Sequence, residues 1–193
     1  MSTGKEKLSL DLRIVEDMAA EMEDYLASPQ LFWPKIDHKL VQPTIGGFWL
    51  RRHRLEALQN ILLDGEERQR FVVANQQFDT ACSEQRHRFE EKVGREVEAR
   101  LRQWGEALRE LLADEPPSIA YYRSDVEIRA IIEALLHLSI PRPADVEQGI
   151  LERLEKLDRD LKQRWKVGRF VWPEAWAVAY PDVTYWWLYG QLK

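Results

Sequence analysis

Cysteine is almost absent from this sequence: Cys82 is the single one in 193 residues. One cysteine excludes a disulfide within the chain and a metal cluster held by several thiolates. Long apolar runs are also absent, and the first twelve residues carry four charges instead of the apolar core of a signal peptide. We therefore expect a cytoplasmic protein with no membrane association, in which Cys82 is a small buried residue.

A surplus of basic residues is the second thing that the sequence lacks. It has 28 lysines and arginines against 33 acidic residues, which gives a formal net charge of −5. Nucleic-acid binding draws on counterion release by Lys and Arg, so this balance disfavours a general nucleic-acid partner unless a local basic patch provides one. We expect a protein partner instead, and the oligomeric state stays open.

Catalytic and metal-binding motifs are missing as well. There is no Gly-x-Ser-x-Gly nucleophile turn, and no base is indicated beside Cys82. Glu84 and His87 form a Glu-x-x-His motif of the kind used in di-iron helical bundles, but a second copy fails because three residues separate Glu133 from His137. We therefore predict no catalytic residue, no metal and no cofactor, and we favour a protein that is not an enzyme.

What the sequence does contain is a long stretch of helical periodicity, from about residue 66 to 113. Its apolar residues recur at a spacing close to 3.6, the period of a straight α-helix with one buried stripe. These residues are Phe71, Phe78, Cys82, Phe89, Val93, Val97, Leu101, Trp104, Leu108 and Leu111. Such a helix would be about 70 Å long. Gly94 and Gly105 share one of its faces, which indicates either a helix that crosses closely there or a local softening.

Four shorter helices are predicted beside the long one. Apolar spacing places them at about residues 8–27, 48–63, 125–138 and 144–165. Asp64 with Glu67 and Ser124 with Glu127 form capping-box patterns at two helix starts, and Gly168 is predicted to cap the last helix. The fold prediction is therefore all-α: a single helical domain over residues 1–193, built as a five-helix, mostly antiparallel bundle on the long central helix. Its second and third helices are expected to form a tight hairpin, and the alternative is one continuous helix with a flaw at Gly65.

Aromatic residues are concentrated in two regions of this tryptophan-rich chain. One surrounds an irregular connection between residues 28 and 47, and the other is the C-terminal segment from residue 169 to 193. The simplest interpretation is that the C-terminal segment, as short helical turns and extended pieces, packs on the connection and covers one end of the bundle. The alternative is an aromatic groove for a ligand or peptide, lined by Trp33, Trp49, Trp172, Trp176, Trp186 and Trp187.

A short basic stretch begins the second helix, with the sequence Gly-Gly-Phe-Trp-Leu-Arg-Arg-His-Arg from residue 46. Basic side chains in the first turns oppose the helix dipole, whereas the backbone N–H groups there attract anions. Two interpretations stay open. Carboxylates of a neighbouring helix, or solvent, neutralise the charges; or the stretch binds an external anion through Gly46, Gly47, Arg51, Arg52, His53 and Arg54.

Three functional hypotheses follow. The first is a non-enzymatic interaction protein, an adaptor or regulatory subunit of a cytoplasmic assembly. The second is a protein that binds a phosphate-bearing ligand or nucleic acid through the Arg51–Arg54 patch, and the third is a helical enzyme with an unrecognised site. Carboxylates that satisfy all three arginines favour the first hypothesis, whereas a basic groove that converges on the patch favours the second.

Overall fold

The computed structural model describes residues 4–33, 44–113 and 119–193. They form seven α-helices, two 3-10 helices and one two-stranded sheet, which confirms the all-α fold class. The α-helices are α1 (Gly4–Ala20), α2 (Met22–Ala27), α3 (Ile45–Leu62), α4 (Gly65–Glu84), α5 (Arg86–Ala113), α6 (Ile119–Leu136) and α7 (Ala144–Gln163). The strands are β1 (Trp165–Phe170) and β2 (Tyr189–Leu192), and the 3-10 helices are Glu174–Ala179 and Trp186–Leu188. None of the described helices has the length and apolar character needed to cross a membrane.

The chain divides into two compact units, Met1–Glu96 and Val97–Lys193, and the boundary falls within α5. The first unit contains α1 to α4 and the start of α5. The second contains the rest of α5, α6, α7 and the sheet. The organisation of residues 1–193 as a single domain stays a prediction.

Two of the five predicted helices are each divided by one residue, so they appear as four. Glu21 separates α1 from α2, and Gln85 separates α4 from α5 within the predicted long helix. Gln85 has φ −114° and ψ 40°. All six residues between Cys82 and Phe89 are polar or charged, so this stretch offers no apolar side chain to the buried stripe. Backbone hydrogen bonds still cross the interruption, from the Gln85 N–H to the Ala81 carbonyl (3.1 Å) and from the Phe89 N–H to the Gln85 carbonyl (3.0 Å).

The apolar stripe of the long helix is buried as predicted. All ten of its residues, from Phe71 to Leu111, are buried, and four of them have no exposed surface. Gly94 and Gly105, which share one face of the long helix, have different surroundings. A Cβ on Gly105 would lie 3.5 Å from Leu157 of α7, whereas a Cβ on Gly94 would meet nothing within 4 Å. A neighbouring helix therefore lies close to Gly105, whereas the space beside Gly94 is open.

The predicted hairpin is formed by α3 and α4. The capping box is present: the Asp64 side chain accepts the Glu67 N–H (2.8 Å), and the Glu67 side chain accepts the Asp64 N–H (3.1 Å). Near the other end of the hairpin, Phe48 stacks on Phe78 with ring centroids 3.7 Å apart. Because α3 begins beside the later part of α4 and ends at its start, the two helices are antiparallel.

Helix α1 lies against both helices of this hairpin. Ser9 donates to Glu67 (2.7 Å) and Glu16 accepts from Arg70, so α1 and α4 run in the same direction. Asp11 binds Arg54 of α3, which runs the opposite way. The centre of the first unit therefore lies between α1, α3 and α4.

In the second unit, two helix boundaries differ from the predictions. Helix α6 begins at Ile119, so Ser124 lies inside it and the predicted capping box of Ser124 with Glu127 is wrong. The earlier start is explained by Tyr122, which is buried and donates its hydroxyl to the Trp187 carbonyl (2.5 Å). Gly168 is part of β1 and does not cap α7, because the chain after Gln163 enters the sheet.

The C-terminal segment forms the aromatic end of the second unit, as predicted. Strands β1 and β2 pair antiparallel from Trp165 with Leu192 to Phe170 with Tyr189, with an irregularity between Val167 and Phe170. The two 3-10 helices supply the predicted short helical turns. Trp176, Tyr180, Trp187 and Leu188 are buried in this segment.

Candidate functional site

The basic patch at the start of α3 faces carboxylates of the same chain. Asp11 of α1 lies between Arg51 and Arg54, with Nε of Arg51 at 3.4 Å and Nη1 of Arg54 at 2.5 Å from its two oxygens. Arg51 also donates to the Gly47 carbonyl (2.9 Å). Asp11 and both arginines are at least 95 % buried. One buried carboxylate is thus paired with two guanidinium groups, and the three side chains form a structural ion cluster.

Arg52 points away from this cluster and has its own partners. It donates to Glu56 (2.8 Å) and Asp79 (2.6 Å), and its guanidinium carbon lies 4.6 Å from the ring centroid of Trp49. Burial by itself lowers the pKa of Arg52, but the hydrogen bonds to Asp79 and Glu56 outweigh burial and raise that pKa above its ordinary value. All three arginines are therefore paired with carboxylates, and His53 beside them is half-buried.

The backbone amides of the same helix start are also occupied. Thr44 caps α3 and accepts the Gly47 N–H through its hydroxyl (3.0 Å), and its carbonyl accepts the Phe48 N–H (2.9 Å). The Gly46 N–H donates to Glu96, a fully buried carboxylate (2.9 Å). The negative charge that the helix dipole favours is thus supplied by Glu96. Binding of an external anion by Gly46, Gly47 and the basic side chains stays a prediction.

The six tryptophans of the predicted aromatic groove lie in two units. In the first, Trp33 packs edge-on against Tyr25 and donates to Glu21, and Trp49 packs edge-on against Phe78. In the second, Trp172 contacts Trp176, Trp186 contacts Trp187, and the buried pair of Trp176 and Trp187 is at most 6 % exposed. Residues 34–43 of the connection lie outside the described residues, so the groove and the packing of the tail on the connection stay predictions.

No group of three or more His, Cys, Asp and Glu side chains suited to a metal ion occurs within the described ranges. Glu84 ends α4 and His87 lies in α5, and both are exposed. Cys82 is buried as predicted, and burial raises the pKa of its thiol to about 12. A thiol with that pKa is almost entirely protonated near neutral pH and is a poor nucleophile.

A groove between α5 and α7 is the site that sequence reasoning missed. It has a volume of about 660 Å³ and lies entirely within the second unit. Its floor is apolar, formed by Leu101, Leu108, Leu112 and Leu157 with Gly105 between them. Leu112 and Leu157 are half-buried, so they present apolar surface to the groove. We call this site the α5–α7 groove.

Two polar contacts link the walls of the α5–α7 groove near its ends. Arg153 of α7 binds Glu98 of α5 (2.6 Å), and Arg164, just after α7, donates to the Leu112 carbonyl (2.8 Å). The two helices therefore run in the same direction along the groove. Glu98 and Leu112 are fourteen positions apart, which corresponds to about 20 Å along a helix.

The rim of the α5–α7 groove is basic. Arg109, Arg153, Lys156 and Arg164 line it, against the single acidic residue Asp160. Arg109 and Lys156 are exposed, one on each wall, and neither makes an ion pair with any residue in the part of the chain that the structure describes. Each groove residue is ordinary for an amphipathic helix. Gly105 was the one signal in the sequence, since the glycine face that it shares with Gly94 predicted either a closely crossing helix or a local softening.

Comparisons of the chain with protein-family models, with curated proteins and with solved structures give no match. Arg51, Arg52 and Arg54 have partners within the chain. The α5–α7 groove combines open volume, apolar surface and unpaired cations among the described residues, which are features of a binding surface.

Proposed function

We propose that this protein is a non-enzymatic interaction protein, and that it binds a partner protein in the α5–α7 groove. The observation that carries the proposal is the groove itself: half-buried Leu112 and Leu157 on its floor, and on its rim Arg109 and Lys156, which have no ion-pair partner in the described part of the chain. Apolar grooves between helices with a polar rim are common sites for segments of other proteins. The cytoplasmic location of such an assembly belongs to the same proposal.

The pairing of the α3 arginines supports this function over the phosphate or nucleic-acid alternative. An external phosphate at Arg51 or Arg54 would compete with Asp11, which both side chains already contact inside the protein. Removing a buried guanidinium from its carboxylate costs several kcal/mol, typically about 3–5. The net charge of −5 also opposes approach of a polyanion.

Site-specific photo-crosslinking tests the proposal. A photo-crosslinking amino acid replaces Leu112 or Leu157 in separate variants of the full chain, expressed in the native cell. The matched control carries it at Val178, which is 67 % exposed in the same unit but outside the groove. We expect the groove positions, and not the control, to crosslink one protein that mass spectrometry identifies.

The crosslinked protein is then purified and mixed with the purified chain. Binding in this two-component mixture, weakened by a bulky substitution at Gly105, is the expected result. Crosslinking at all three positions alike, or no binding between the two purified proteins, would contradict the proposed function. The substitution Gly105→Trp is suitable because a Cβ there would lie 3.5 Å from Leu157, so a large side chain must occupy the groove.

A further inference from the structure

The partner segment can be specified from the walls and rim of the α5–α7 groove. We infer that it is an acidic amphipathic helix of roughly four turns, with a leucine-rich stripe and carboxylates on both sides of that stripe. This inference rests on the proposed function and names the chemical class of the partner. Three properties of the groove carry it: its length, the helical structure of its walls, and the charge of its rim.

The length of the groove sets the length of the segment. The Arg153–Glu98 ion pair and the Arg164–Leu112 hydrogen bond mark two points about 20 Å apart. A helix of about fourteen residues has that length, whereas an extended chain would cover it with about six. A volume of about 660 Å³ lies in the range of sites that hold several large side chains.

The walls favour a helix over an extended strand. Both walls are α-helices, whose backbone N–H and C=O groups bond within the helix except at its ends, so they offer no sheet edge to an added strand. Leu101, Leu108 and Leu112 recur at steps of seven and four along α5, and Leu157 faces them from α7. Side chains at helical spacing on the partner can pack between such leucines.

The rim sets the charge of the segment. Arg109 projects from one wall and Lys156 from the other, and within the described ranges neither has an ion-pair partner. The chain as a whole carries a net charge of −5, so the positive charge of the groove rim is opposite in sign to that of the whole chain. Charge complementarity therefore requires acidic residues on both flanks of the apolar stripe. A nucleic acid could pair its phosphates with the same cations, but phosphates make no apolar contacts with the leucines of the floor.

Three labelled synthetic peptides of fourteen residues test this inference with the purified full-length protein. The first carries leucines on one helical face and glutamates on both flanks. The second has lysine in place of every glutamate, and the third has the composition of the first with its leucines spread around the helix. We expect fluorescence anisotropy to show binding of the first peptide, with at least tenfold weaker binding of the other two. The affinity should fall as salt concentration rises.

Two double variants locate the binding. Arg109→Gln with Lys156→Gln removes the two rim cations that have no ion-pair partner among the described residues, and we expect the dissociation constant of the acidic peptide to rise by on the order of tenfold or more. The matched control, Arg102→Gln with Arg159→Gln, removes the same charge from the same two helices outside the groove. All four positions are exposed, so both variants should keep the wild-type circular dichroism spectrum and melting temperature.

Several results would overturn the inference. Equal binding of the lysine peptide, an unchanged affinity in the Arg109 and Lys156 variant, or tighter binding of a single-stranded oligonucleotide at the groove would each exclude an acidic helix. Concentration-dependent self-association that only the rim variant abolishes would make a second copy of this chain the occupant. If Leu112 and Leu157 still crosslink the same purified partner in any of these cases, the inference fails while the proposed function stands. If they do not, both fail.

Discussion

The guanidinium carbon of Arg129 lies 3.7 Å from the ring centroid of Trp187. The same guanidinium donates two hydrogen bonds to Asp158 of α7, each 3.1 Å long, and one to Glu133 of its own helix α6 (2.7 Å). Tyr122, also on α6, donates its hydroxyl to the Trp187 carbonyl. The buried Arg129 side chain therefore connects α6, α7 and the C-terminal segment, because its guanidinium contacts one residue of each.

Arg129→Lys tests this junction. Lysine keeps the charge but cannot donate two parallel hydrogen bonds to Asp158 or stack its planar group on Trp187. We expect the free energy of unfolding of the second unit to fall by about 2–3 kcal/mol, since hydrogen bonds to charged groups contribute roughly that much. Urea unfolding followed by tryptophan fluorescence measures the change. The control is Arg159→Lys, whose pairing with Glu155 is exposed, and no measurable change is expected there.

Asp11→Asn tests the ion cluster of the first unit. The substitution keeps the shape of the side chain but leaves Arg51 and Arg54 without their shared negative charge in a buried site. We expect a loss of about 3–5 kcal/mol, the usual cost of breaking a buried ion pair on one side. Asp79→Asn is the matched control, because Asp79 pairs with Arg52 while its side chain is 53 % exposed, and it should cost less than about 1 kcal/mol. Similar losses in the two variants, measured by urea unfolding, would contradict the structural role of Asp11.

The reactivity of Cys82 should depend on folding. Burial raises the pKa of its thiol from 9.0 to about 12, so at pH 8 the folded protein holds about 1000-fold less thiolate than the unfolded chain. We expect iodoacetamide to modify Cys82 slowly in the native protein and rapidly in concentrated urea, as mass spectrometry can follow. Comparable rates in the two conditions would mean that the thiol is exposed.

The same pKa difference predicts a pH dependence of stability. The folded state favours the protonated thiol. The contribution of this thiol to the free energy of unfolding is therefore fully present below the unfolded pKa of 9.0. That contribution is lost as the pH rises from 9.0 towards about 12, because the unfolded chain then releases the proton more readily. Cys82→Ala removes the titrating group. Urea unfolding between pH 8 and 11 should therefore show a shallower decline in the variant than in the wild type.

Periodicity and local capping signals were sufficient to predict most of the helices. The stripe from Phe71 to Leu111 was readable because burial of one helix face imposes a repeat on the sequence. The Asp64 and Glu67 capping box could be predicted because both residues lie in the same helical turn and cap each other's backbone N–H groups. Ser124 and Glu127 have the same spacing but lie inside α6, since burial of Tyr122 before them extends the helix.

Long-range pairings could not be predicted in the same way. Asp11 reaches Arg54 across forty-three positions, and Gly46 reaches Glu96 across fifty. No repeat in the sequence specifies which of 33 acidic residues approaches a given arginine or amide. The sequence therefore indicated that something negative should compensate the start of α3, but only the fold identifies Asp11 and Glu96.

The small sheet and the α5–α7 groove were missed for related reasons. Strand β1 has a charged, exposed middle that includes Gly168, so its sequence predicts a helix cap followed by a tail. Its partner β2 lies some twenty residues later, and strand pairing is specified by tertiary packing more than by local sequence. The groove depends on the distance between two helices, and Gly105 alone carried information about it.

Gly190 is the residue on which the pairing of β1 with β2 depends most directly. A Cβ at this position would lie 2.3 Å from the Lys166 carbonyl oxygen and 2.6 Å from the ring of Trp165. Neither the strand backbone nor the packed indole can move without disturbing the sheet, so Gly190→Ala should destabilise the second unit by about 2 kcal/mol or more through overpacking. Thermal unfolding followed by near-ultraviolet circular dichroism, which reports the surrounding tryptophans, measures the loss.

Gly94→Ala is the matched control for Gly190→Ala, because it makes the same chemical change in open space. Gly94 lies inside α5 and a Cβ there meets nothing within 4 Å. Alanine is favoured over glycine in a helix interior by about 1 kcal/mol, so this variant should be more stable than the wild type. Opposite signs for the two substitutions are therefore expected. Equal destabilisation of both would mean that α5 is crowded at Gly94, whereas no loss at Gly190 would mean that Trp165 does not pack on β2.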